Sequence, residues 1–303
     1  MKHLASLCLA CCAIAAALIL VSCEKVILDD DQEQAAVPDD SPSGQKTKKF
    51  TFTTKGNFVM KDASTRAATY LNSDDNTLTD LWVLDYVGGV LQQQLHQSST
   101  DANWGQPTMN LTYATHHIYF VASRGANPVL STDNHRITWD TARDTFWKDY
   151  EVTVVSTSNG NRAVTLDRVA SRLLLSVTDA LPSDISSFTI SANHWFRDID
   201  YLTGEPVTDN PIALTLNVSE SKRGSENGIQ LSVFTISQAE QWTTNVQLTA
   251  TSLTAETLAQ TTIENVPFQR NRSTNYSGSM FSGSFSSTIS INGDWGDPIV
   301  GTW

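Results

Sequence analysis

The chain has 303 residues, and its 20 Lys and Arg against 32 Asp and Glu give a formal net charge of −12 at pH 7. An acidic surface repels phosphate backbones and anionic lipid, so we expect no nucleic-acid partner. Of the four cysteines, Cys8, Cys11 and Cys12 lie in an apolar N-terminal run, which leaves Cys23. A single cysteine forms neither a disulfide framework nor a thiolate zinc site, so stability has to come from core burial.

The N-terminus has the pattern of a secretory signal. Lys2 and His3 precede an apolar run over residues 4–21, which ends in Leu-Val-Ser-Cys. About 18 apolar residues can also span a bilayer, but only Lys2 flanks this run with charge on one side and acids follow on the other. The Leu-x-Ser-Cys ending resembles a bacterial lipobox, so we predict a signal peptide at residues 1–22 and lipid attachment at Cys23.

Residues 23–49 are predicted to be a flexible tether. Apolar residues are sparse there, and Pro38 and Pro42 interrupt the segment. Such a stretch cannot bury enough surface to order itself. The acidic triplet at residues 29–31 is interpreted as part of a solvated linker. A metal site is disfavoured, because the segment lacks the regularly spaced ligands of a cation-binding loop.

The next stretch predicts a strand, a long loop and a hairpin. Residues 50–54 alternate Phe and Thr, and residues 57–60 extend this strand past Gly56. Residues 61–76 lose periodicity, and connections of that length are usually functional or disordered. Residues 78–87 and 90–97 read as two strands joined by a Gly88-Gly89 turn.

The rest of the chain predicts short strands and a single short helix, so the predicted fold class is all-β with two tandem β-sandwich domains. The helix is expected over residues 140–150, where Phe146, Trp147 and Tyr150 have helical spacing. Residues 164–177 are too long for one strand, and we predict that one domain, 50–169, ends there and the next, 170–303, begins. Further strands are expected at residues 109–113, 117–122, 151–156, 188–192, 212–218, 229–236, 246–251, 261–266 and 285–291.

No catalytic constellation is present in the sequence. It lacks a Gly-x-Ser-x-Gly elbow, a Gly-rich phosphate loop and a His-Glu-x-x-His motif. His116 and His117 are adjacent, so on a strand they point to opposite faces and cannot chelate one ion together. We therefore predict a protein that is not an enzyme and that holds no cofactor and no metal.

Three other features have both a functional and a structural interpretation. Residues 194–198 could line a small site or pack Trp195 at the end of a sandwich. The tryptophans could form a sugar-binding platform or belong to the core, and the core is favoured. Asp140-Thr141-Ala142 resembles the three-residue O-glycosylation signal of secreted Bacteroidales proteins.

Several phrases together, in this order, resemble the fimbrillin superfamily, the lipoprotein-routed type V pilin proteins of Bacteroidales. The resemblance spans essentially the whole mature chain. The phrases are the lipobox at Cys23, residues 78–86 after a loop with Thr65-Arg66-Ala67, and residues 117–123, 166–173 and 266–274, before a tail ending in Trp303.

The resemblance implies two transthyretin-like β-sandwiches in a subunit that is exported, lipidated and carried to the surface of the outer membrane. It implies that an Arg-specific protease cuts between Arg66 and Ala67, so that the strand at residues 50–59 leaves and opens a hydrophobic groove. A strand of the next fimbrial subunit would fill this groove, and the C-terminal segment from residue 285 to 303 would be that donor. In this segment one face carries Phe285, Ser287, Ile289 and Ile291.

The expected role is therefore that of a structural subunit of a cell-surface fimbria, with adhesion as the downstream function. Its partners would be other fimbrial subunits, the outer membrane through the lipid, and the maturation protease. The alternatives are a surface-exposed glycan-binding lipoprotein, a fimbrial anchor or tip protein that does not polymerise, or an accessory domain of a secreted hydrolase.

Overall fold

Strands make up nearly all the regular structure of residues 46–56, 69–70, 78–282 and 287–289, which are the residues that the computed structural model describes. Within them the one helical element is a 3₁₀ turn at Glu220–Lys222. The prediction of an all-β sandwich fold is confirmed. The strands are β1 Thr47–Gly56, β2 Thr69–Tyr70, β3 Asp80–Val87, β4 Val90–Ser98, β5 Thr108–Thr112, β6 Thr115–Ser123, β7 Val129–Ser131, β8 Arg136–Thr138, β9 Thr145–Thr153, β10 Asn161–Arg168, β11 Ala170–Val177, β12 Ile185–Ala192, β13 Asp198–Asp200, β14 Ile212–Asn217, β15 Ile229–Ile236, β16 Trp242–Ser252, β17 Thr257–Phe268, β18 Ser273–Gly278 and β19 Ser287–Ile289.

The first sandwich, called here the N-terminal sandwich, consists of β1, β3 to β6, β9 and β10. One layer has the order β4-β3-β6-β9, and the other places β1 between β5 and β10. Strand β10 joins both layers, because residues 161–166 pair with β1 and residues 167–168 pair with β9. The layers enclose an apolar core built from alternate residues of these strands, with Phe52, Phe120 and Leu166 fully buried.

The second sandwich, the C-terminal sandwich, consists of β11, β12 and β14 to β18 and repeats the same pairings. β12 pairs with β14 and β16, and β16 with β17, as β3 pairs with β4 and β6, and β6 with β9. β11 lies antiparallel to β15 and parallel to β18, as β1 lies antiparallel to β5 and parallel to β10. Each sandwich thus places its first strand in the interior of a sheet, beside its last strand.

The two sandwiches are joined by a small shared sheet and an apolar junction. Strand β13, from the C-terminal part, pairs with β8, which lies between β6 and β9 in the chain, and β8 pairs with β7. Trp139 and Tyr201 are fully buried at the junction, and the hydroxyls of Tyr86 and Tyr201 lie 2.8 Å apart. Arg168 donates two hydrogen bonds to the Asp144 carboxylate at 2.7 and 3.0 Å.

The structure confirms two local predictions and corrects two others. Gly88 and Gly89 have positive φ in the turn between β3 and β4, and the long run over residues 164–177 is divided between two strands, β10 and β11, with Val169 between them. The domain bounds 50–169 and 170–303 stay predictions. The helix expected over residues 140–150 is wrong, because β9 occupies this region and pairs with β6 over nine residues. Strand β1 starts at Thr47 rather than residue 50, because residues 47–49 also pair with β5.

Candidate assembly site around the first strand

Strand β1 lies in the interior of its sheet. Its first half, residues 47–51, pairs antiparallel with β5, and its second half, residues 51–56, pairs parallel with β10. Its last two residues also pair with β2. The alternation of Phe and Thr explains this position, because a strand with one apolar face covers a core while its hydroxyl face stays in contact with water.

The inward face of β1 fills the N-terminal core. Phe50 and Phe52 are 0% exposed, and the ring of Phe52 meets the edges of Phe120 and Tyr150 at centroid distances of 5.4 and 6.0 Å. Thr54 is also buried, and its hydroxyl donates to the carbonyl of Gly105 at 2.7 Å. Removing β1 would therefore leave an apolar groove the width of one strand.

The backbone of β1 is hydrogen-bonded beyond the regular ladder. The amides of Thr51, Phe52 and Thr54 donate to the carbonyls of Gly160, Pro107 and Gly105, at 2.7, 2.9 and 3.0 Å. If β1 left, these carbonyls would lose their donors in a mostly apolar site. A groove of this kind favours an incoming strand, which can supply both amide donors and apolar side chains.

The outward face of β1 makes weaker contacts. The hydroxyls of Thr51 and Thr108 lie 3.1 Å apart on neighbouring strands. The ammonium group of Lys48 donates to the carbonyl of Ser156 at 3.0 Å in an exposed contact. These contacts are accessible to engineering without disturbing the core.

Strand β5, on one side of the groove, is held by hydrogen bonds that do not involve β1. His116 Nδ1 lies 2.6 Å from Asp85 Oδ1, and His116 Nε2–H donates to the carbonyl of Thr112, at the end of β5, at 2.9 Å. Both side chains are buried. Burial raises the pKa of Asp85, and its hydrogen bond with His116 opposes that rise. The buried pair thus ties β5 to β3 and β6.

The sequence-predicted site residues are only partly within the described structure. Cys23, Arg66 and Ala67 lie outside the described residues and stay predictions. Of the predicted donor strand, Ser287 and Ile289 lie in β19, which pairs antiparallel with β18 of the same chain. Phe285 and Ile291 lie outside the described residues.

Asp179 is a residue that sequence reasoning missed. It follows β11, and its carboxylate accepts hydrogen bonds from the backbone amides of Met280, Phe281 and Ser282. Burial alone would raise the pKa of Asp179, but these amides outweigh burial and lower it below the usual value. The sequence gives no local signal for this contact, because the amides lie more than 100 residues further along.

The other candidate residues have structural roles in the described part of the chain. His117 points away from His116, toward Asp149 at 3.2 Å, as the strand geometry predicted. Trp195 is buried, with its indole N–H bonded to the carbonyl of Phe234. Among the described residues, no group of three or more His, Cys, Asp or Glu side chains is placed to hold a metal ion.

The tryptophans mostly belong to the core. Trp82, Trp104 and Trp139 are buried, while Trp147 and Trp242 are half-buried, and their indole N–H groups are bonded to the carbonyl of Tyr201 and the hydroxyl of Ser237. These described tryptophans do not form an exposed aromatic row. In the part of the chain that is described, no helix is long and apolar enough to cross a membrane.

The glycosylation-like motif lies in the segment between β8 and β9. The Asp140 carboxylate accepts a hydrogen bond from Asn127 at 2.7 Å, and Ala142 is buried. Thr141 forms an isolated β-bridge with Ala126. Its modification stays a prediction.

Residues 108–302 match the model of a family of unknown function, DUF6562. A comparison with curated protein sequences finds no match. Three of the solved structures with a similar fold are described here. A candidate polysaccharide-binding protein of Bacteroides thetaiotaomicron (DUF1812) has a TM-score of 0.55 at 11% identity, over 82% of this chain and 96% of that one.

The other two structures come from Bacteroides ovatus. A candidate adhesin has a TM-score of 0.53 at 11% identity, over 82% of this chain and 94% of that one. A candidate cell adhesion protein has a TM-score of 0.50 at 11% identity, over 85% and 100% of the two chains. At these identities the likeness shows a shared fold.

Proposed function

Since this chain belongs to the DUF6562 family, whose function is unknown, we propose its role from its own geometry. The protein is a fimbria-associated subunit of the cell surface that assembles by exchanging its first strand, with adhesion as the downstream role. The carrying observation is the position of β1, an interior strand that is joined to the following strands only through residues 57–68. One cut in that connection turns an interior strand into a detachable peptide.

The predicted cut between Arg66 and Ala67 falls inside this connection. After it, β1 would be held by its ladders with β2, β5 and β10, by the further hydrogen bonds described above and by its buried side chains. Burial of each Phe contributes about 1.5–3 kcal/mol. A spontaneous departure is therefore costly, whereas replacement by a partner's strand conserves both ladder bonds and burial. This favours exchange over simple release.

The donor is the C-terminal segment of another subunit. Within the described residues, strand β19 pairs with β18 over three residues and lies at the edge of its sheet, so the described ladder that holds it on its own subunit is short. Alternation of Phe285, Ser287, Ile289 and Ile291 gives the segment one apolar face, which is what the groove under β1 requires.

The route to the surface is proposed from the N-terminus. Cys23 carries the lipid that delivers the precursor to the outer membrane, and an Arg-specific protease releases residues 23–66 together with this lipid. The subunit then joins other fimbrial subunits. The shared fold with proteins described as candidate adhesins and cell adhesion proteins supports the adhesive role.

A disulfide that locks β1 to β5 tests the exchange. In the soluble form, residues 24–303, no native cysteine remains. The Thr51 and Thr108 hydroxyls are 3.1 Å apart, so Thr51→Cys with Thr108→Cys places two sulfurs near the disulfide length of about 2.05 Å. We expect an Arg-specific protease to cut the oxidised variant after Arg66 without producing polymer. Reduction should then restore polymerisation to the level of the unmodified protein.

The two single-cysteine variants control for the substitutions, and Arg66→Ala controls for the cut. Both single variants should polymerise after cleavage, while the uncut Arg66→Ala protein should remain monomeric. Polymer formation by the oxidised double variant would exclude β1 as the exchanged strand. A wild-type protein that is cut and stays monomeric would overturn the proposal in favour of an anchor, a tip protein or a glycan-binding module.

A further inference from the structure

The C-terminal segment leaves the C-terminal sandwich at a well-defined root. The ladder between β11 and β18 continues to Thr178, whose amide donates to the carbonyl of Gly278 at 2.9 Å. After β18, the chain passes the side chain of Asp179. The three residues that follow Ser279 each point a backbone amide at this single carboxylate.

Four contacts between backbone amides and the Asp179 carboxylate form the root. Met280 donates to both carboxylate oxygens of Asp179 at 3.0 Å, Phe281 donates at 2.5 Å and Ser282 at 2.9 Å. A carboxylate is suited to this arrangement because it only accepts, through two oxygens, and charge-assisted bonds are stronger than neutral ones. An Asn amide offers one acceptor oxygen, and its NH₂ group would oppose a backbone amide.

Apolar contacts support the same root. Met280 and Phe281 are half-buried against the C-terminal core, and the rings of Phe281 and Phe188 lie 6.4 Å apart. A small apolar cavity of about 20 Å³ lies beside Met280, lined also by Val177, Ile263 and Tyr276.

We propose that Asp179 restrains the C-terminal segment on its own subunit, so that β19 stays on β18 until a neighbouring subunit takes it. Four residues separate the root at residues 280–282 from β19, and within the described residues β19 pairs with β18 over three residues. The stability of so short a ladder depends on the residues that precede it. When the root is anchored, less conformational entropy is lost as β19 pairs with β18. The consequence for assembly rests on the proposed function, whereas the hydrogen bonds from residues 280–282 to Asp179 do not depend on it.

Amide hydrogen exchange of the uncut protein measures the hold. In Asp179→Asn, we expect exchange of residues 280–282 and 287–289 to be at least about 10-fold faster than in the wild type, while β12 and β16 keep their protection. Asp184→Asn is the matched control, since it removes the same charge from an exposed residue five positions away. It should leave exchange at both segments unchanged.

The initial rate of assembly is a second measurement. The restraint predicts that this rate increases in Asp179→Asn, whereas a general loss of stability gives no reason for an increase. After cleavage, Asp179→Asn should polymerise about 3- to 10-fold faster at the start, because its donor strand is released more readily. Asp179→Glu keeps a carboxylate and should lie between the wild type and Asp179→Asn. Assembly of Asp179→Asn that is no faster than assembly of the wild type would overturn the restraint.

The two measurements separate the two proposals. Unchanged exchange at residues 280–282 and 287–289 in Asp179→Asn would show that Asp179 is not the restraint, whatever the assembly data. If the wild type fails to polymerise after cleavage, the proposed function fails. Faster exchange in Asp179→Asn would still assign the anchor to this residue.

Discussion

The first strands of the two sandwiches, β1 and β11, occupy the same place in the same topology. Each lies between an antiparallel neighbour and the last strand of its sandwich, to which it is parallel. Each turns alternate apolar side chains inward, Phe50 and Phe52 in β1 and Leu173 and Leu175 in β11. Hydrogen bonding and burial therefore do not distinguish the two strands.

The covalent connections do distinguish them. β11 follows β10 after Val169 alone and continues into β12 through residues 178–184, so it is held at both ends by short links. β1 precedes all other described strands and joins them through residues 57–68. A cut within residues 57–68 would therefore detach β1 from the strands that follow it, which is why the proposed exchange involves β1 and not β11.

Removal of β1 should have the largest effect. A protein of residues 67–303 lacks Phe50 and Phe52, and loss of each buried Phe costs about 3–5 kcal/mol. That sum is comparable with the whole stability of an ordinary domain, about 5–15 kcal/mol. We expect the N-terminal core to open, with increased binding of an apolar dye and a loss of near-UV circular dichroism.

A peptide of residues 47–56 should restore both signals when it is added to this truncated protein. The matched control is the same peptide with Phe50→Ser and Phe52→Ser, which can form the ladder but cannot fill the core. Native-like spectra of the truncated protein without any peptide would show that β1 is dispensable, and the comparison with β11 would no longer hold.

Truncation of one inward side chain should affect the two strands alike while the chain is uncut. Phe52→Ala should cost about 3–5 kcal/mol and Leu173→Ala about 2–5 kcal/mol, because both side chains are fully buried. Phe52→Leu serves as the milder control, at about 1 kcal/mol. Urea unfolding measures all three. A loss under 1 kcal/mol for Phe52→Ala alone would show that β1 is held less firmly than its equivalent.

The smallest effect concerns the pH dependence of the C-terminal root. The pKa of Asp179 is lowered in the folded protein, so its contribution is present above the unfolded value of about 3.9 and is lost as the pH falls through the lower folded value. Because the residue is half-exposed, Asp179→Asn should cost about 1 kcal/mol at pH 6. The difference between wild type and variant in urea unfolding should shrink below about pH 4. If the difference in unfolding free energy between wild type and Asp179→Asn stayed constant from pH 6 to pH 2.5, the ionised carboxylate of Asp179 would not be what stabilises the root.

Local patterns predicted much of the strand order. Gly88-Gly89 between two alternating segments identified the β3–β4 hairpin, because both positions need positive φ. The run over residues 164–177 was too long for one strand, and it contains parts of two strands, β10 and β11. In both places the deciding information lies within a few residues, which is why the sequence was sufficient.

Prediction failed where distant partners decide the structure. Phe146, Trp147 and Tyr150 fit one face of a helix, but the ladder with β6 fixes an extended chain in which Phe146 and Trp147 enter different cores. The repeated topology is likewise a pattern of pairings rather than of residue types. Asp179 looks like any acidic turn residue until the fold brings residues 280–282 to it.

The junction between the sandwiches has a mechanical consequence. Domains in one chain usually move against each other unless their interface is large and apolar. Here β8 and β13 cross the junction as a paired ladder, and Tyr86 and Tyr201 meet in a buried contact beside Trp139. Bending the subunit at this junction would break the β8–β13 ladder and the buried tyrosine contact together. In the proposed fimbria, each subunit would therefore carry a pulling force along the chain as one rigid unit.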